Sequence, residues 1–117
     1  MNEPIRTELG KISSVRYGVG GYNDAMHGIS FTLEGKGWGV QDFWGAWGAI
    51  IDHTDHCKWS EEDRIKQHGE IAMRISWLLQ QAKKEDIGGL RGLPIEATFQ
   101  GGGMGLLKSW RVLEEVL

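Results

Sequence analysis

From Ile12 the chain alternates apolar and polar positions. Val15, Tyr17 and Val19 are separated by Arg16 and Gly18 until Gly20-Gly21 breaks the pattern, the signature of a strand ended by a turn. After Tyr22, Asn23 and Asp24 the alternation resumes more cleanly, with Ile29, Phe31 and Leu33 on one face and Ser30, Thr32 and Glu34 on the other. Near residue 60 the period changes. Ser60 with Asp63 three residues on is a capping-box variant, and Glu61, Glu62 and Asp63 put negative charge where a helix dipole favours it. A helix is predicted to start at about Glu61 and to end before Gly88-Gly89. Its apolar stripe is read as Ile65, Gly69, Ala72, Ile75 and Leu79, joined by Ile71, Leu78 and Ala82. Strand alternation returns at Ile95, Ala97 and Phe99, passes the turn GGGMG, and ends in LLKSWRVLEEVL, where Trp110 and Val112 alternate with charged neighbours.

Gln41 to Ile51 falls between these patterns. Phe43, Trp47 and Ile50 or Ile51 would share a helical face, but Gly45 and Gly48 would each cost about 1 kcal/mol in a helix interior. The expectation is a short helix or an ordered loop. The order is then β-β-(short helix or loop)-α-β-β, an α+β fold in which a small antiparallel sheet of about four strands carries one long helix packed on one face. Residues 1–10 lack useful periodicity and read as a flexible N-terminal arm, leaving 11–117 as a single α+β domain.

Composition narrows the function classes. Hydrophobic residues make up 40% of the 117 and charged residues 25%, which suits one folded domain and disfavours a disordered or fibrous chain. A formal charge of −3 supplies no basic footprint for duplex nucleic acid. The single cysteine, Cys57, cannot form an internal disulfide, and the N-terminal residues have no signal-peptide pattern, so the expected location is the cytoplasm. No apolar run approaches the roughly 20 residues of a membrane span.

The densest chemical signal is Glu34 to Ile51, where three tryptophans and a phenylalanine stand among five glycines. Lys36, Trp38, Phe43, Trp44 and Trp47 are the candidate ligand- or partner-binding residues, rings held by glycine turns for stacking on a base, a nucleotide or a partner side chain. Arg16, Lys36 and Asp42 are the nearest polar groups to orient such a ligand, and the same rings could instead fill a second small core. Trp59, just before the helix cap, and Trp110, at an alternating strand position, are read as core. Stepping 100° per residue places Met73 and Trp77 opposite the apolar stripe, where an aromatic and a methionine suit an oligomer interface. In DHTDHC, His53, His56 and Cys57 are zinc-competent side chains, but their spacing matches no standard zinc signature. No cofactor is predicted, with zinc retained as an alternative. The clusters GVGGY and GKGWG lack the Lys-Ser/Thr of a phosphate-binding loop and read as turns. No serine or carboxylate pair is set up for catalysis.

The segments RYGVGGYNDAMHGISFTLEGKGWGVQDFWGAW, KWSEEDR and LKSWRVLEEVL together resemble a family of small phage- and prophage-encoded proteins to which no activity or catalytic residue is attached. The resemblance covers nearly the full length after residue 10, and implies a protein made inside an infected or lysogenic bacterial cell. The expected function is that of a non-enzymatic accessory binding protein, an inhibitor or sequestering protein acting on a host defence or host-takeover component. Its expected partner is a protein or a small nucleotide-like ligand, and it is expected to be a homo-oligomer. Two alternatives remain, a small metal-dependent enzyme acting on nucleic acid or nucleotide through His53, His56 and Cys57, and single-strand nucleic-acid binding through exposed rings.

Overall fold

A computed structural model describes residues 4–102 and 105–117. The fold is α+β. Five strands, β1 (Ile5–Gly20), β2 (Met26–Gly35), β3 (Trp38–Trp47), β4 (Pro94–Gln100) and β5 (Leu106–Val112), form one antiparallel sheet in the order β3-β2-β1-β4-β5, and one long helix, α1 (Glu61–Ala82), lies between β3 and β4 in sequence. The helix starts on a complete capping box: the Asp63 backbone N–H donates to the Ser60 hydroxyl at 3.1 Å, and the Ser60 N–H donates to the Asp63 carboxylate at 2.8 Å. No helix among the described residues is long and apolar enough to cross a membrane.

Two expectations about elements are corrected. The Gln41 to Ile51 segment is neither a short helix nor a loop through Trp47, because β3 pairs with β2 from Gly35↔Trp38 to Met26↔Trp47. Its inward positions are Trp38, Val40, Asp42, Trp44 and Ala46, a strand period that one inward carboxylate and outward aromatics disguise. Residues 5–10 are not an arm but the first half of β1, pairing with β4 from Ile5↔Gln100 to Lys11↔Pro94, while Gly10 to Gly20 pair with β2. Five strands therefore replace about four. In the GGGMG turn, residues 103 and 104 lie outside the described residues.

The helix turns a different face to the sheet from the one read in the sequence. Ile71, Leu78 and Ala82 are buried and Ile75 and Leu79 pack beside them, whereas Ile65, Gly69 and Ala72 face solvent. The buried face also contains Arg64, which apolar patterning does not mark. Its guanidinium donates to the carbonyls of Gly48 and Ile51 at 2.7 Å each, pairs with Glu61 and lies 4.8 Å from the Trp59 ring centre. A buried charge is tolerated when it is this fully bonded, and here it ties the long β3–α1 connection to the helix.

The core lies on the inner face of the sheet, where Ile12, Ile29, Phe31, Leu33, Ile95, Ala97 and Phe99 meet the helix together with Leu90 and Leu93. In a flat sheet, four interstrand steps of about 4.8 Å would hold β3 and β5 about 19 Å apart. Yet the Trp110 indole N–H on β5 donates to Asp42 on β3 at 2.7 Å. The sheet must coil strongly to bring its edges this close, and register shifts at Ile12/Ser14 and Thr98/Phe99 supply local bends. The helix packs chiefly across β3 and reaches β5.

Candidate functional site

Where the sheet edges converge under the helix, Asp42 joins them. One of its oxygens, Oδ2, accepts hydrogen bonds from the indole N–H of Trp44 at 3.0 Å and of Trp110 at 2.7 Å. The two indoles stack with centroids 6.0 Å apart and planes 17° from parallel, and Phe31 beneath them meets Trp44 at 4.7 Å and Trp110 at 5.0 Å. From the helix, the Arg74 guanidinium carbon sits 3.9 Å from the Trp44 ring centre, a cation–π contact. An aspartate on the apolar face of a strand is thus used to fix two large rings from opposite edges of the sheet.

Beside this cluster opens a cleft of about 560 Å³, lined by β3, α1 and β5, with Trp77, Gln81, Lys108 and Arg111 completing its walls. That volume falls in the range of small-molecule sites. Two cations, Arg74 and Lys108, stand with one carboxylate, Asp42, whose bonds to the indoles already engage it, while Arg111 pairs with Glu96 on the other face of the sheet. Arg111 is held from behind: Nη1 and Nη2 each bond Glu115 at 3.0 Å and Nε bonds Glu96 at 3.3 Å. Hydrogen bonding to Arg111 lowers the Glu115 carboxyl to about 2, and the same bond to Glu115 raises the Arg111 guanidinium above its usual value. A smaller hollow of about 260 Å³, lined by Phe43, Trp44, Gly45, Gln67, Glu70, Ile71 and Arg74, adjoins the cleft.

The residues singled out in the sequence are dispersed rather than gathered. Trp44 belongs to the cleft cluster, and Phe43 lines both cavities from the outer side of β3. The Phe43 ring covers Gly20 and Gly45, where any Cβ would collide with it, so these glycines make room for a ring against the sheet. Trp38 is 8% exposed and packs edge-on to Phe99 with centroids 5.3 Å apart. Gly10 and Gly35 leave the space its indole occupies, so this ring is a core side chain and does not present a surface. Lys36 is exposed in the β2–β3 turn, at the end of β3 away from Trp47. Trp47 stacks on Trp59 at 5.7 Å, while its backbone bonds Gln67 and His68 of the helix. Met73 and Trp77 are exposed, and Trp77 also reaches the cleft rim.

His53, His56 and Cys57 lie in the β3–α1 connection without converging. His53 Nε2 contacts the Trp59 carbonyl at 2.7 Å, and the Cys57 sulfur lies near Thr54. Among the described residues no group of three or more His, Cys, Asp or Glu side chains is gathered as a metal would require.

In the sequence Asp42 stands out only as a possible orienting group and Trp110 only as a core position, and nothing there marks Arg74, Lys108 or Arg111. The available signal was a carboxylate at an inward strand position between Val40 and Trp44, which requires a buried partner. Comparisons with protein-family models, curated proteins and solved structures found no match to this chain.

Proposed function

We propose that this chain is a non-enzymatic binding protein that sequesters a small, planar, negatively charged molecule of nucleotide type in the cleft between β3, α1 and β5. The observation that carries this reading is the aromatic cluster of Trp44 and Trp110, fixed by Asp42 and flanked by Arg74, opening onto a cleft with an excess of positive charge. Rings whose orientation is already set lose little freedom on stacking against a ligand, and guanidinium and ammonium groups beside them suit phosphate or carboxylate. A binding role is favoured over catalysis because the one carboxylate lining the cleft is engaged by two indoles and Arg111 is engaged by two glutamates. In the cellular setting that the sequence resemblance implies, such a protein would hold its ligand away from a host defence or takeover component.

The test is a titration of intrinsic tryptophan fluorescence with nucleoside mono- and diphosphates and cyclic nucleotides, beside native mass spectrometry of protein recovered from phage-infected cells. Saturable quenching or a retained mass, lost in Arg74→Ala and in Lys108→Ala while the far-ultraviolet spectrum is kept, is the expected result. Protein that retains no small molecule and responds to none of these ligands would refute the reading.

A further inference from the structure

The second half of β1 has one edge that the sheet does not use. The Gly48 N–H donates to the Ala25 carbonyl, so the odd-numbered residues of β2 bond β3 and the even-numbered ones bond β1, from Gly20↔Met26 to Ser14↔Thr32. Val15, Tyr17 and Val19 therefore direct their N–H and C=O groups the other way. On that side β4 pairs only with Ile5 to Lys11, and the backbones of Gly92 and Leu93 take both groups of Ile12. Among the described residues no hydrogen bond reaches the outward peptide groups of Val15 or Tyr17, and at Val19 only the Arg16 side chain bonds the carbonyl, at 3.0 Å. The helix packs chiefly across β3, on the far side of β2. A bare edge of this kind is a template for another strand.

We propose that this edge pairs with the same edge of a second copy of the chain, β1 against β1, antiparallel about a twofold axis at Tyr17. The occupant is argued from self-complementarity, the requirement of a symmetric interface. With Arg16 on the axis, two guanidinium groups would stand opposite each other, and Gly20 of the second copy would meet Ile12, whose bonds Gly92 and Leu93 already hold. With Gly18 on the axis, Val15 would lose its partner. Tyr17 on the axis uses the whole edge. Val15 then bonds Val19 of the second copy and Tyr17 bonds its counterpart, for about six backbone hydrogen bonds. The second copy's strand ends at Gly20, opposite Ser14, and Gly21 at φ 72° turns it away before it reaches Leu93. On the outer face each Arg16 meets a Gly18, and on the inner face valine meets valine and ring meets ring, cross-strand pairs that favour a sheet. Arg16 exchanges its exposed bond to the Val19 carbonyl for the N–H of Val15 of the second copy. None of these residues lines the cleft, so this inference does not depend on the cleft's ligand.

Sedimentation velocity of the full chain over a concentration series should show a shift from 13.1 kDa towards twice that mass. Tyr17 is 53% exposed, so Tyr17→Lys should leave the circular dichroism unchanged, and by setting like charges directly opposite it should weaken association at least tenfold. Tyr17→Glu should do the same, and an equimolar mixture of the two variants should restore the dimer. With Cys57→Ser as background, Tyr17→Cys should cross-link on oxidation, because its two Cα atoms would stand about 5.5 Å apart. Val15→Cys should not, because its two copies would lie about 14 Å apart along the strand. A mass of 13.1 kDa at every concentration up to the millimolar range would overturn the proposal. So would a dimer indifferent to Tyr17→Lys, a mixture of the two charged variants that stays monomeric, or a dimer cross-linked as readily through Val15→Cys.

Discussion

Replacing Asp42 with alanine removes the group that joins the two edges of the sheet. The loss is two hydrogen bonds, 3.0 Å to Trp44 and 2.7 Å to Trp110, both with a charged acceptor. Bonds of that kind contribute about 1.5 to 3 kcal/mol each. Asp42, Trp44 and Trp110 are only partly buried, so water can replace some of what is lost and the lower end applies, giving about 3 kcal/mol for the pair. For 117 residues an unfolding entropy of about 2.1 cal/mol/K per residue converts this to a fall in Tm of about 12 °C. Asp42→Asn keeps an acceptor but loses the charge, and should cost about half as much. Urea unfolding followed by far-ultraviolet circular dichroism is the suitable assay, because indole fluorescence would itself change with the mutation. Trp110→Phe, which keeps a ring but removes one donor, should combine with Asp42→Ala less than additively, by about 1 kcal/mol or more. If Asp42→Ala lies within about 0.5 kcal/mol of the parent, or the two changes simply add, Asp42 does not hold the edges together and the cleft has some other support.

Trp38→Ala should destabilise by about 3 to 5 kcal/mol, the range for emptying a large aromatic site in a core, measured by the same denaturation; an unchanged midpoint would return this ring to the surface. Ser60→Ala should cost about 1 kcal/mol through loss of the helix cap, read from its thermal transition. Hydrogen bonds from the Ser60 backbone N–H and hydroxyl side hold the Asp63 carboxyl below its ordinary value. A carboxyl whose folded value is depressed stabilises the fold above its unfolded value of about 3.9 and loses that contribution as pH falls through the folded value. Asp63→Asn should therefore lower Tm at pH 7 and converge on the parent as pH falls through the lowered folded value, and a gap that widened with acid would contradict this assignment of the cap.

How much of this was legible in the chain depends on how local the determining forces are. The capping box and the start of α1 could be read because Ser60 and Asp63 satisfy each other within one turn. β2 could be read because its alternation matches its burial, with Ile29, Phe31 and Leu33 all inside. β3 could not, since a strand that points Asp42 inward and Phe43 outward inverts the usual signal, and the glycines beside it argue against a helix without arguing for a strand. Residues 5–10 have little pattern of their own because Arg6 and Glu8 occupy the face that Gly10 and Ile12 continue, so their pairing with β4 comes from a partner some 85 to 95 positions away. The helix face is not legible because Ile65, Gly69 and Ala72 fit an apolar stripe yet face solvent, and Arg64, the buried charge that ties the helix to the β3–α1 connection, counts as polar in any periodicity.

The cleft is the least local feature of all. Its two indoles come from strands at opposite edges of a five-stranded sheet, and the contact between Asp42 and Trp110 spans 68 positions. Nothing near Trp110 in sequence distinguishes it from an ordinary core tryptophan, and nothing near Asp42 says that its partners are indoles. The sheet's coil converts them into one site, and the coil is itself reinforced by that site, because a carboxylate held between two N–H donors is satisfied only when the edges meet. A ligand stacked on these rings with its charge near Arg74 and Lys108 would add contacts to both edges at once. Binding should therefore raise the thermal transition of the parent, as any ligand of the native state does. Where Asp42→Ala has loosened the edges, part of the binding energy must first bring them together, so affinity should fall along with stability. An Asp42→Ala protein that is less stable but binds with parental affinity would separate the cleft from the coil and place the recognition surface on the helix side alone.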